Sequence, residues 1–408
     1  MNLKRRRDAQ QWVLDHMVKT TGRVQNFASD ARQLPPSVKS YAMISKIVGQ
    51  HGLREEAIAR AADASGHRAT AVHAYAKAIL SYIEAQHSIF EDDNPEKIYW
   101  YSRALDCHAR VRELADHPIE RVEVPWDSRS FPGMLHLQAD RKKQPTIIFI
   151  PGMDGTKESS GVGPLGGTFM AHGVHVFTFD GPGQGESNLR KLRITHDNYE
   201  RAVSAAIDYL LKRPEVDPER LGIVGSSFGS LWGLRAAARD SRIKALAVVA
   251  VCFGDKRGIF EHASPRFKQV FMYMAGIQDE EAFDRMAEQM TSFGCGAEIR
   301  CPTLICSGEF DPLTRLDETL AMFDEIAGPK ELWVFENQAH DYRGLPNLCE
   351  IDTLHFMIDW VLDAMEGKIS KSHKRITLVP PSGGAGPYED RPLFAPWQQP
   401  RSPTDRQI

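Results

Sequence analysis

Leu221-Gly-Ile-Val-Gly-Ser-Ser227-Phe-Gly-Ser-Leu-Trp-Gly233 is the stretch on which the fold turns. A short apolar run leads into Gly225-x-Ser227-x-Gly229, and an Ala-rich helical segment follows. A nucleophile on a sharp strand-to-helix turn needs small neighbours, because side chains at the two flanks would collide across it. The turn lifts the Ser227 hydroxyl clear of the backbone and aims the amino end of the next helix at it. G-x-S-x-G alone occurs by chance in many loops. The strand before it and the helix after it give it weight.

A serine hydroxyl is a poor nucleophile unless an oriented base takes its proton. The base and its orienting acid are expected after later strands, in the order serine, acid, histidine. The apolar run 303–306 leads to Glu309-Phe-Asp311-Pro312, and the run 332–335 leads to Glu336-Asn-Gln-Ala-His340. Asp311 and His340 are therefore the predicted partners of Ser227. Glu309 is the rival acid and Glu336 a weaker one; Pro312 favours Asp311, because it marks a loop turn. Two backbone N–H groups must face the tetrahedral oxygen. One belongs to Phe228, and the other to the loop Pro151-Gly-Met153-Asp154-Gly155, with Met153 preferred and Asp154 next to it.

Outward from this segment the pattern is α/β. Runs at 146–150, 174–179, 221–224, 245–251, 303–306 and 332–335 alternate with helical segments, as a parallel sheet covered on both faces requires. Two antiparallel strands, 119–124 and 131–138, precede them. Residues 256–300 break the rhythm with helix-like sequence and read as a cap insertion. The catalytic unit then spans 119–370. Residues 1–118 carry almost no strand-like runs and form a helical N-terminal domain. In it Val72, Ala76, Ile79, Leu80 and Ile83 recur at helical spacing, and Asn94-Pro95 is a good helix start. Tyr99-Trp100-Tyr101 lie ~100° apart on that helix, so they cannot all face one core and one is free to face the cleft or a partner subunit. From that follows the expectation that this domain is the lid of an apolar pocket. Residues 371–408, rich in Pro, Gly and Arg, read as a mobile tail.

The remaining features exclude other classes. Among 408 residues, 42% are hydrophobic and 25% charged, with a net charge of −4, so no one-sided field argues for nucleic acid. The basic opening Lys4-Arg-Arg-Arg7 is followed by no apolar stretch, and no run reaches membrane-spanning length. The six cysteines form no C-x-x-C pair, which fits thiols in a reducing, cytoplasmic setting. Asp180-Gly-Pro-Gly-Gln-Gly-Glu-Ser187 lacks the phosphate-loop Lys, and Pro182 removes an N–H, so a structural loop is expected there rather than a nucleotide site. No metal-ligand spacing occurs. The expectation is a small-molecule substrate, no cofactor, no metal, no nucleic acid and no membrane; a homodimer is compatible with the sequence.

Taken together, the helical N-terminus, Pro151-Gly-Met-Asp-Gly-Thr-Lys-Glu158, the 180–186 loop and Gly225-Ser-Ser-Phe-Gly229 resemble one group of α/β-hydrolases. It is the group of 2,6-dihydroxypseudooxynicotine hydrolase and of the fungal hydrolases that shorten polyketide pigment precursors. The resemblance covers about residues 90 to 365. It implies an α/β-hydrolase fold with a sheet of the eight-stranded type and hydrolysis of a carbon–carbon bond beside a ketone. It also implies a further carboxylate near the nucleophile, for which Glu261 is the nearest match and Asp255 the rival, and it includes Lys157 and Glu158 in its loop. A carboxylesterase, lactonase or acyltransferase is the alternative, and a hydrolase scaffold serving as a ligand receptor is a third reading.

Overall fold

The computed structural model describes residues 37–388, apart from residues 41, 154, 160, 255, 263, 264, 341, 343, 383 and 385 and the side chains of 257 and 262. The basic opening at 4–7, Asp154, Asp255 and residues 389–408 lie outside the described residues.

Nine strands form one sheet: β1 (Ile119–Trp126), β2 (Arg129–His136), β3 (Gln144–Ile150), β4 (His175–Phe179), β5 (Val216–Ser226), β6 (Ala245–Val249), β7 (Thr303–Gly308), β8 (Lys330–Phe335) and β9 (Lys374–Val379). Their order is β1-β2-β4-β3-β5-β6-β7-β8-β9. β2 runs antiparallel to both neighbours, and every pairing from β4 to β9 is parallel. The strands are mostly apolar, as burial on both faces favours: every residue of β4, β7 and β8 is buried. The sheet has one strand more than the eight-stranded type. β9 comes from the segment read as tail, where Pro380-Pro381 and Gly384 masked the strand-forming run Ile376-Thr-Leu-Val379. Thr377 and Val379 are fully buried beside β8.

Among the described residues three helices precede the sheet: α1 (Ala42–Ala64), α2 (Arg68–His87) and α3 (Pro95–Leu114). α3 begins as the sequence predicts, with the Asn94 side chain accepting from the N–H groups of Glu96 and Lys97 at 2.9 and 3.1 Å. The buried face of α2 differs from the expected stripe. It carries Ala71, Tyr75, Ala78, Ile79, Tyr82 and Ile83, while Leu80 is exposed. The aromatic rings, not the aliphatic residues, set the face. Gly49 and Gly52 of α1 make this packing possible, since a Cβ there would sit 2.4 Å from the Trp100 ring and 2.6 Å from the Tyr82 ring.

Between β6 and β7 lie the helices Lys256–His262, Pro265–Ala275 and Glu280–Ala287, within the stretch read as a cap. Phe260, Phe267, Phe271 and Phe283 from them cluster around Phe228, with ring centroids 5.0–6.0 Å from it for the first three. Among the described residues no helix is long and apolar enough to cross a membrane.

Candidate active site

Loops at the carboxyl ends of β3, β4, β5, β6, β7 and β8 meet at one place, the edge where sheets of this kind place their chemistry. Ser227 sits between β5 and the helix Phe228–Arg239 with φ +54° and ψ −122°, a left-handed conformation that a non-glycine residue adopts at a cost of about 1–3 kcal/mol. The flanking glycines explain how the turn is held. A Cβ on Gly225 would stand 2.4 Å from the Gly229 carbonyl oxygen, and one on Gly229 would stand 2.1 Å from that of Ile150. The elbow thus packs backbone against backbone on the end of β3. No larger residue fits.

Ser227 Oγ lies 3.1 Å from His340 Nε2, and His340 Nδ1 lies 2.7 Å from Asp311 Oδ2. Asp311 Oδ1 accepts from the Leu313 N–H at 2.9 Å, which fixes the carboxylate's rotation. Asp311 and His340 are both buried. The structure therefore brings together the three residues taken from three separate loops of the sequence. Glu309 points elsewhere: its Oε2 accepts from the Asn337 N–H at 2.9 Å and ties the two loops to each other. Glu336 sits in the same loop as His340 but makes no such contact with it among the described residues.

Phe228 opens its helix, where an N–H has no intrahelical acceptor, and its side chain is fully buried in the aromatic cluster. Met153 is buried in the loop after β3, and a Cβ on Gly152 would lie 3.1 Å from Ser227 Cβ, so this loop runs against the nucleophile. Gln184 holds it there. Its Nε2 donates to the Gly152 carbonyl at 2.7 Å, while its Oε1 accepts from the Tyr199 hydroxyl at 2.6 Å. The 180–187 loop is thus a brace for the site, and the Ser187 hydroxyl closes it onto the Asp180 carbonyl at 2.6 Å.

Glu261 lies on the helix Lys256–His262, between β6 and β7. Its side chain is 42% exposed and faces Lys268 at 3.9 Å, a lysine also paired with Glu280 and Asp284. Lys157 and Glu158 are buried instead in an ionic cluster. The Lys157 ammonium lies 2.7 Å from Glu158, 2.8 Å from Asp180 and 3.2 Å from Glu186. Tyr101 of α3 donates to Asp180 at 3.0 Å. Burial pushes the Asp180 carboxyl up, and the Lys157 charge pulls it back. These two residues pin the loop to the helical layer.

Residues that sequence reasoning passed over complete the surroundings. Cys252 Sγ lies 3.9 Å from Ser227 Oγ, and burial pushes that thiol up to about 12. The Tyr342 hydroxyl accepts from the Ala250 N–H at 2.8 Å and donates to the Cys306 carbonyl at 2.5 Å, which holds the loop after β8 against β6 and β7. Tyr342 stands two residues beyond His340, and that spacing was the available signal.

Comparison with known proteins bears on the fold and the family resemblance. The model of the prolyl oligopeptidase family matches residues 169–368. The chain is 28% identical to 2,6-dihydropseudooxynicotine hydrolase of Paenarthrobacter nicotinovorans over 226 residues, 54% of this chain and 59% of that protein. It is 29% identical to 20-hydroxy-prefusarin hydrolase of Gibberella moniliformis over 252 residues, 59% and 58% of the two chains. It therefore spans about three-fifths of the length of these curated relatives. The crystal structure of 2,6-dihydroxy-pseudo-oxynicotine hydrolase superposes with a TM-score of 0.70 at 22% identity, covering 83% of this chain and 93% of that one. The chain has the α/β-hydrolase fold.

Proposed function

We propose that the protein is a serine hydrolase that cleaves a carbon–carbon bond beside a ketone, in a diketone or polyketide-like aromatic substrate, through an acyl-enzyme. The observation that carries the hydrolase reading is the continuous relay from Ser227 Oγ through His340 to Asp311, at 3.1 and 2.7 Å. His340 takes the Ser227 proton, and Asp311 stabilises the imidazolium that forms. Ser227 attacks the ketone carbonyl while the N–H groups of Phe228 and Met153 hold the oxyanion, each donor contributing about 3–4 kcal/mol. The carbon–carbon bond breaks with its electron pair on the departing carbon, which takes the proton from His340. Water, deprotonated by His340, then releases the acid from Ser227.

The carbon–carbon assignment rests on the similarity to 2,6-dihydropseudooxynicotine hydrolase and 20-hydroxy-prefusarin hydrolase. The aromatic cluster around Phe228 suits a planar, apolar substrate. A carboxylesterase is the second reading, since the relay of Ser227, His340 and Asp311 serves an ester carbonyl equally. Assaying one preparation with p-nitrophenyl acetate and with 1-phenyl-1,3-butanedione separates the two. Turnover of the diketone to benzoate or acetate supports carbon–carbon hydrolysis; ester turnover alone assigns an esterase. Failure of both, with no fluorophosphonate adduct on Ser227, would overturn the hydrolase reading.

A further inference from the structure

We propose that residues 250–253, the irregular segment that leaves β6, are the common seat of the triad. Thr314, Ser230 and Tyr342 are then positioning residues, whose hydroxyls fix the acid, the nucleophile and the base upon that seat. The inference rests on the serine-hydrolase reading above and extends it to what sets the geometry of the relay.

β6 ends at Val249, and the buried run Ala250-Val-Cys-Phe253 beyond it belongs to no helix or strand. Buried backbone outside a ladder must find hydrogen-bond partners elsewhere. Here they come from the three loops that carry the triad. The Val249 carbonyl accepts from the Ser227 N–H at 2.9 Å. The Ala250 N–H donates at 2.8 Å to the hydroxyl of Tyr342, on the His340 loop. The Thr314 hydroxyl, on the Asp311 loop, donates to the Val251 carbonyl at 2.8 Å and accepts from the Phe253 N–H at 3.3 Å. The Cys252 N–H donates to the Ser230 hydroxyl at 2.8 Å, and the Cys252 thiol lies 3.9 Å from Ser227 Oγ. Ser230 and Thr314 are fully buried, so bulk water does not compete for these contacts. Ala250 has φ +51°, a left-handed conformation that persists only where its surroundings hold it.

The spacing in sequence gives each hydroxyl its leverage. Ser230 stands three residues after Ser227, Thr314 three after Asp311, and Tyr342 two after His340. Thr314 directly follows Leu313, whose N–H holds Asp311 Oδ1 at 2.9 Å. Anchoring Thr314 therefore anchors the donor that sets the rotation of the carboxylate. A hydroxyl suits the task because its O–H donates while its oxygen accepts, so one side chain bridges a carbonyl and an N–H two residues apart. The proton passed from Ser227 to His340 crosses 3.1 Å, and a misplacement of about 1 Å costs on the order of 10²-fold in such a step. The sheet delivers the three loops to one edge. These hydroxyls bring them into register with one another.

The test compares the full-length enzyme with Thr314→Val, Thr314→Ser and Tyr342→Phe. Trp360→Phe is the control, since it removes the bond from Trp360 Nε1 to Glu331 near the opposite, amino end of β8. Two quantities are read: the rate constant for fluorophosphonate labelling of Ser227, and kcat and KM on p-nitrophenyl acetate. Where the ester is not turned over, the labelling rate decides alone. Valine keeps the shape of threonine without its hydroxyl. Thr314→Val should slow labelling and kcat about 30-fold with KM changed by less than about twofold, and Thr314→Ser should recover most of the loss. Tyr342→Phe should slow both about tenfold. Trp360→Phe should lower the thermal midpoint and keep both rates within about twofold. Unchanged rates in Thr314→Val, a Thr314→Ser enzyme no faster than Thr314→Val, or an equal slowing in Trp360→Phe would overturn the assignment. If Thr314→Val does not fold, Ser230→Ala and Tyr342→Phe carry the same criterion, and unchanged labelling in both refutes the seat. A wild-type enzyme that neither labels at Ser227 nor cleaves the ester loses the serine-hydrolase reading and this one with it. Labelled wild type with unslowed variants removes this one alone.

Discussion

Two buried constellations of acids and bases lie within one catalytic edge, and they are built in opposite ways. In the first, His340 links Ser227 and Asp311 in a single file, and the nucleophile sits on a left-handed backbone with a thiol 3.9 Å away. In the second, the Lys157 ammonium is ringed by Glu158, Asp180 and Glu186 within 3.2 Å, with Tyr101 against Asp180. A file of single contacts lets the serine proton pass to His340 while Asp311 stabilises the imidazolium. A ring of mutually satisfied charges holds each member in place, because removing one leaves the others buried and unpaired. Burial alone therefore does not distinguish a reactive group from an anchoring one; the number of partners does.

The sharpest break of this contrast is Ser227→Ala. Turnover should fall about 10⁴-fold or more, roughly 5.5 kcal/mol of barrier, while the thermal midpoint holds, since alanine keeps the same Cβ and backbone. His340→Ala should cost a similar factor, and the double variant little more, since triad members act as a unit. A double variant far slower than either single one would separate the two residues. Lys157→Met should do the reverse, losing about 3–5 kcal/mol of stability in urea unfolding. A stable Lys157→Met enzyme would show that the ring is ornamental.

The seam beside that ring carries a pH signature. His108 is buried, and desolvation, helped by the Lys157 charge, pushes it down to about 3; His136 and His117 are also lowered by burial. A histidine whose folded pKa lies below its unfolded value of ~6.5 binds fewer protons in the folded state, so stability is lost as pH falls below that value. For His108 the loss at pH 5 is about 2 kcal/mol. The urea midpoint should therefore drop less between pH 7.5 and 5.0 in His108→Leu than in wild type; parallel drops would remove the histidine from the account. The smallest effect concerns the rival acid. Glu309→Gln keeps an oxygen for the Asn337 N–H and should change turnover by less than about 0.5 kcal/mol, against a severe loss for Asp311→Asn. The opposite ranking would move the acid to Glu309.

Much of the edge was legible because its constraints are local. Gly225 and Gly229 announce a turn too tight for a side chain, and Asp311 and His340 follow apolar strands at short distance. What depended on distant packing was not legible. Glu261 matched a loose pattern, but which side of a seven-residue helix faces inward is decided by Phe260 and Lys268 around it. β9 was hidden because strand pairing with β8 outweighs a Pro- and Gly-rich neighbourhood. Of the three adjacent aromatics, Tyr99 remains 46% exposed, Trp100 stacks on Tyr82 at 5.7 Å, and Tyr101 enters the ionic ring. Their divergence followed from helix geometry. Their destinations did not.

The position of Lys157 has a consequence for how a substrate gets in. Met153 and Lys157 belong to one short loop, Gln184 clamps its start, and Tyr101 of α3 closes on the cluster at its end. Swinging the helical layer outward would drag the oxyanion loop with it and break several buried ionic contacts at once. The helices between β6 and β7 meet Phe228 through the rings of Phe260, Phe267 and Phe271 at 5.0–6.0 Å and through the Lys256 ammonium at 5.9 Å. Entry of a substrate past the helical layer would therefore be the costlier route.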